Sequence, residues 1–109
     1  MPREILGELE HQVMLALLRL EDEAYTAPVV LELEERTGRP VKSAAVYIAL
    51  RRLEEKGLVT SAMQSPGAAG GRDRRHFEVT DEGRRRLVEA RAAYERLWDG
   101  LDVATGARR

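Results

Sequence analysis

The sequence contains no cysteine. A disulfide framework and any thiolate metal site are thereby excluded. The two histidines, His11 and His76, lie too far apart to form a local ligand motif, so neither a metal nor a cofactor is expected. Long apolar runs are missing too, which excludes a membrane span. The N-terminus, Met1-Pro2-Arg3-Glu4, leads straight into an amphipathic pattern and lacks the apolar stretch and small-residue cleavage site of a signal peptide. The expected location is the cytoplasm. Net charge is also nearly absent: 18 Lys and Arg stand against 19 Asp and Glu, leaving −1. Spread evenly, that balance would argue against a nucleic-acid partner. It is not spread evenly. Residues 1–35 sum to −7, residues 36–76 to +6, and residues 77–109 to zero. Phosphate binding responds to such a local basic patch, although a charge run taken alone more often only solvates a surface.

What is present is a chain of 109 residues, 43% hydrophobic and 34% charged, enough for one soluble globular domain. From Ile5 to Leu20, apolar residues recur at Leu6, Leu9, Val13, Leu17 and Leu20, with Met14 and Leu18 widening the stripe. This spacing predicts a helix with a broad buried face, ended by a polar turn at Glu21-Asp22-Glu23. Thr26 reads as the cap of a second, short helix with Pro28 in its first turn and Gly38 at its stop. After an extended Arg39-Pro40-Val41-Lys42, Ser43 reads as the cap of a third helix running to Lys56, stopped by Gly57. Leu58 to Met63 is β-compatible and too short for a helix before the Pro66-Gly67 turn; His76-Phe77-Glu78-Val79 resumes alternation after a glycine-rich loop. Thr80 reads as the cap of a last helix reaching at least Leu101, with a frayed tail over residues 103–109. The predicted fold class is mainly α with a small β-hairpin, in the order α-α-α-β-β-α of a winged helix-turn-helix. Residues 1–79 form the winged helix-turn-helix unit, and residues 80–102 a C-terminal dimerisation helix packed on the same domain.

Candidate function gathers on two of these elements. At about 100° per residue, Val46, Leu50 and Leu53 face inward on the third helix, while Ala44, Ile48, Arg51 and Glu55 face outward, flanked by Tyr47 and Arg52. Arginines reach phosphates or guanine edges, a tyrosine hydroxyl can donate to phosphate, and Ile48 or Ala44 can meet a thymine methyl. Lys42 and Ser43 join them at the helix start, where backbone donors favour phosphate. A bland reading, with solvated arginines and Tyr47 at a helix edge, is about as good for this helix alone. The hairpin tips the balance, because Arg72, Arg74 and Arg75 follow the glycines at or near the tip of a projecting wing. The glycine-rich loop is a poor nucleotide cradle, since arginines that open a strand replace the Gly-Lys-Ser/Thr of a P-loop. On the last helix Leu87, Ala90, Tyr94, Leu97 and Leu101 form a heptad seam with Val88 and Trp98 beside it. Packing on the chain's own core is the simple reading. Together with the first helix, however, the seam presents more apolar surface than so small a core can cover. A homodimer interface from Leu6, Leu9, Val13, Leu87, Ala90, Tyr94, Leu97, Trp98 and Leu101 is therefore expected. Trp98 also suits a pocket between subunits for a small aromatic effector ligand. His11 is expected on the exposed side of its helix. Neither histidine has a nucleophile nearby in sequence, and the carboxylates occur in runs typical of solvated faces, so no enzyme is expected.

These residues resemble the PadR-like family of transcriptional regulators, over about residues 5–101. The likeness is densest from Val41 through Val59, then at Gly71-Arg72, then from Phe77 to Gly83, and the opening Leu6-Gly7-Glu8-Leu9-Glu10 looks like that of the family's short members, which lack a large C-terminal domain. The resemblance implies a homodimer on double-stranded DNA at an inverted-repeat operator, usually a repressor, with the third helix in the major groove and the wing on the flanking backbone. By it, Tyr47 matches the recognition-helix tyrosine, Arg52 a frequent basic residue of that helix, and Arg72 the wing arginine. Ala44, where close relatives often carry glycine, and Ala27-Pro28, in place of a common tyrosine-glycine pair, depart from the pattern. A winged-helix module that binds an acidic protein partner through the same basic face is the alternative.

Overall fold

A computed structural model describes residues 6–66, 71–104 and 107–108 of the chain. Three helices form the body: α1 (Glu8–Leu20), α2 (Thr26–Thr37) and α3 (Ser43–Glu55), with a short 3₁₀ turn over Glu21–Glu23 between the first two. A hairpin follows, β1 (Val59–Gln64) antiparallel to β2 (Arg74–Val79), then α4 (Asp81–Trp98) and a two-residue pair, β3 (Leu101–Asp102) with β4 (Ala107–Arg108). The winged helix-turn-helix order is the one the sequence predicts. The loop residues 67–70 lie outside the described set. The first helix, expected from Ile5, begins only at Glu8, because Gly7 is its extended N-cap and Leu6 before it is non-helical.

The core is assembled from one stripe of each helix. Val13, Met14, Ala16 and Leu17 of α1 meet Val29 and Leu33 of α2 and Val46, Ala49, Leu50 and Leu53 of α3, closed below by Leu58, Val59, Phe77, Val79 and Leu87. Burial of a Leu or Val side chain stabilises by roughly 1.5–3 kcal/mol each, so this cluster holds the three helices at fixed angles. Val13, expected at a dimer interface, is fully buried in it, and Leu87 is nearly so. Val13 is a correction, because its side chain fills its own subunit's core and has no surface left to offer a second copy; Leu87 gives most of its surface to that core and keeps only an edge at the groove between α1 and α4.

Chain reversal after α3 rests on Gly57, whose φ of +76° is left-handed. Its N–H bonds to the Glu54 carbonyl and that of Leu58 to Leu53, a Schellman arrangement that drops Leu58 back onto the core. Thr80 then ties the far end of the hairpin to the same place. Its backbone N–H donates to Leu58 O, its hydroxyl donates to Gly57 O at 2.8 Å, and its Oγ1 accepts from Gly83 N at 3.0 Å to cap α4. The wing root and the start of α4 are thus one knot.

Several boundaries differ from expectation. Thr26 and Ser43 are the first helical residues, and the extended cap positions fall to Tyr25 and Lys42, neither of which makes a side-chain cap bond. Lys56 is the C-cap of α3 and lies beyond its last turn. The acidic turn is a 3₁₀ helix entered through Glu21 at φ +50°. At the other end α4 stops at Trp98, because Asp99 is extended and Gly100 turns through φ +78°. Leu101 therefore leaves the heptad seam and pairs in β3, and the expected frayed tail holds a strand at residues 107–108. No helix among the described residues is long and apolar enough to cross a membrane.

Candidate nucleic-acid interface

The inward stripe of α3 fixes what its opposite face presents. With Val46, Ala49, Leu50 and Leu53 in the core, Lys42, Ser43, Ala44, Tyr47, Ile48, Arg51 and Arg52 all emerge into solvent. Tyr47 is 43% and Ile48 50% exposed, two adjacent large side chains open to solvent beside Arg51 and Arg52. No side chain caps α3, so the first-turn N–H groups beside Lys42 and Ser43 are free of any such bond.

The same face runs into the wing through a polar chain. Arg51 pairs with Glu54 at 3.1 Å, Glu54 accepts a hydrogen bond from the Ser61 hydroxyl, and Ser61 Oγ accepts from Arg75 Nη1 at 2.9 Å. Strand alternation explains why Arg75 lies here, since residues 75, 77 and 79 share the face that meets the body. Arg74 and His76 take the other face and meet Tyr25. The Arg74 guanidinium stacks 4.5 Å from the centre of the Tyr25 ring and donates to its hydroxyl at 2.9 Å. The His76 ring lies 5.2 Å from that of Tyr25. Of the three wing arginines predicted from sequence, Arg74 and Arg75 are thus engaged with their own chain, while Arg72 is exposed.

A second surface lies along α1 and α4. After Leu87, α4 runs clear of the body, leaving Val88 69%, Leu97 70% and Trp98 57% exposed and Tyr94 equally open. Ala90 is half-buried, and Leu6 and Leu9 pack partly on the core, so they contribute margins. Between α1 and α4 lies a groove of about 620 Å³ lined by Leu15, Leu18, Val88, Tyr94 and Trp98, with His11 at its wall. His11 is half-buried there, which corrects its expected exposure; desolvation holds its pKa below the ordinary 6.5. Sequence reasoning missed His11, Leu15, Leu18 and Tyr25. The groove residues belong to two helices distant in sequence, and no periodicity marks Tyr25, one residue before the expected cap.

Residues 14–89 match the Transcriptional regulator PadR-like family. That stretch takes in α2, α3, the whole wing and the first half of α4. The chain belongs to the PadR-like family of transcriptional regulators. Solved structures agree. A PadR-like transcription factor from Bacteroides fragilis is 26% identical with a TM-score of 0.69, each chain covered over 84%. A PadR family transcriptional regulator from Eggerthella lenta is 36% identical with a TM-score of 0.66, over 81% of this chain and 75% of that one. A third PadR family regulator, from Clostridium difficile, is 26% identical with a TM-score of 0.67, over 84% and 90%. A search of curated proteins found no match. PadR membership and the winged helix together make this a DNA-binding regulator of transcription.

Proposed function

We infer that this PadR-like protein represses transcription as a homodimer on an inverted-repeat operator. The α3 face enters the major groove and the wing lies on the flanking backbone. The observation that carries this reading is the bare outer face of α3, with Tyr47, Ile48 and Arg52 exposed and their neighbour Arg51 joined through Glu54 and Ser61 to the wing. Ser43, Ala44 and Ile48 are short enough to let the helix approach base edges, and Lys42, Arg51, Arg52 and Arg72 supply cations for phosphate or guanine. Dimerisation is assigned to the open α4 stripe, whose Leu97 and Trp98 stay more than half exposed among the described residues. The α1/α4 groove beside Trp98 is the place where a small aromatic effector would lodge and alter the spacing of the two recognition helices.

The test is fluorescence anisotropy with duplex DNA from upstream of the protein's own gene. Affinity falls steeply as salt rises. A Tyr47→Ala, Arg72→Ala double variant loses specific binding and keeps its oligomeric state. Equal, weak binding of the wild type to unrelated duplexes would overturn the reading.

A further inference from the structure

We propose that Tyr25 is a positioning residue for the wing, holding the hairpin at a set angle to α3 through Arg74 and His76. Phe77 N–H donates to Ala24 O at 2.9 Å, so the segment just before α2 runs alongside β2 as a one-bond third strand. That bond places Tyr25, half-buried at the cap of α2, next to the strand face bearing residues 74 and 76. Two side chains of that face close on one phenol: Arg74 by stacking and a 2.9 Å hydrogen bond, His76 by ring contact at 5.2 Å. A stacked and hydrogen-bonded guanidinium is restrained in both direction and distance, which a simple ion pair does not achieve.

The grip falls at the lever point of the wing. Val59, Phe77 and Val79 are anchored in the core, whereas Met63 and Gln64 opposite Arg75 and Arg74 are exposed, with no core beneath them. The Ser61–Glu54 bond ties β1 to α3 nearer the root of the hairpin; farther out than Tyr25, no hydrogen bond or ion pair among the described residues joins the wing to the helical body, and Arg72 follows only two residues out. Its position is therefore set by Arg74. Arg75, bound to Ser61, steadies the other face of the same strand. Arg74 and Arg75 support the wing, and Arg72 is what the wing presents.

This inference rests on the DNA-binding reading for its consequence but not for its first test. In amide hydrogen exchange on the free protein, Tyr25→Leu speeds exchange across residues 60–64 and 74–77, while α1 and α3 core amides are unchanged. Tyr25→Phe, which keeps the ring and loses the acceptor, falls between. Unchanged wing exchange in Tyr25→Leu, or exchange faster everywhere, overturns the tether. On a bound duplex, Tyr25→Leu weakens affinity about tenfold and erases protection at the outer flanks while the central half-sites stay protected. Tyr25→Leu and Arg74→Ala combined lose no more than either alone; additive losses contradict the pairing. A wild type that binds no duplex sinks the DNA reading, and the exchange experiment still decides the tether.

Discussion

Gly83 shows how little freedom the junction of wing and α4 leaves. It lies in the first turn of α4 with positive φ nowhere in play, yet a Cβ there would land on the Leu58 carbonyl oxygen and on Val79 Cγ1. Neither neighbour can yield, one being backbone and the other part of the core. Gly83→Ala is expected to cost about 1–3 kcal/mol despite the better helix propensity of alanine, read as a lowered urea midpoint; an unchanged or raised midpoint contradicts the packing. His11 makes a second prediction at this scale. Burial beside the apolar groove lowers its pKa, so the unfolded chain takes up a proton first as pH falls below about 6.5. Stability is therefore fully present above that pH and declines beneath it until the lowered native value is passed. His11→Gln removes this part of the decline between pH 7.5 and 5.5, where carboxylates hardly titrate. A wild-type curve already flat over that window contradicts the burial. At the residue scale the sequence was only partly legible. Thr26 and Ser43 look like caps because hydroxyls favour helix starts, but each lies one position inside. For Arg74 and Arg75, composition does not show that one guanidinium is held by Tyr25 and the other by Ser61.

Among the elements, α3 was the most readable, since a stripe of Val46, Leu50 and Leu53 leaves one choice of outward face and Gly57 one place to stop. The hairpin was legible in existence and short at both margins, because Gln64, Arg74 and Arg75 carry no β-propensity that would extend it. Least legible was α4. Its seam of threes and fours was visible, but the same spacing fits a helix that packs on its own core and one that packs on a copy. The fold docks its first part and leaves the rest open to solvent. Gly83 and Leu87 dock, while Val88, Tyr94, Leu97 and Trp98 do not. Val13 belongs with the docked set for a related reason, as the broad stripe of α1 has an inner and an outer margin that periodicity merges. If the open half of α4 is the interface, Leu97→Asp with Trp98→Ala yields a folded monomer by sedimentation at micromolar concentration, a weakening of at least about 2 kcal/mol. A dimer of undiminished affinity would place the interface elsewhere.

The whole molecule is elongated, 58 by 36 by 21 Å, and its radius of gyration of 16.3 Å exceeds the roughly 13 Å of a compact chain this long. The excess has two sources, a projecting wing and an 18-residue helix leaving the body in the form of an arm. Such a shape exposes much apolar surface and is hard to justify for a solitary subunit. It suits the proposed symmetric pair, with arms together and wings apart. Charge follows the same division: the near-neutral total conceals a basic middle that folds into α3 and the wing, while the acids of the first 35 residues fall largely on α1, the 3₁₀ turn and α2. Two such faces related by a twofold axis would meet a duplex at points about one helical turn apart. Hydroxyl-radical footprinting of the dimer on a duplex selected from genomic fragments tests this directly. Two equal protected half-sites, centred about 10 base pairs or a multiple of it apart and flanked by weaker wing protection, are expected. A single unpaired protected patch, or uniform protection that ignores sequence, would contradict it.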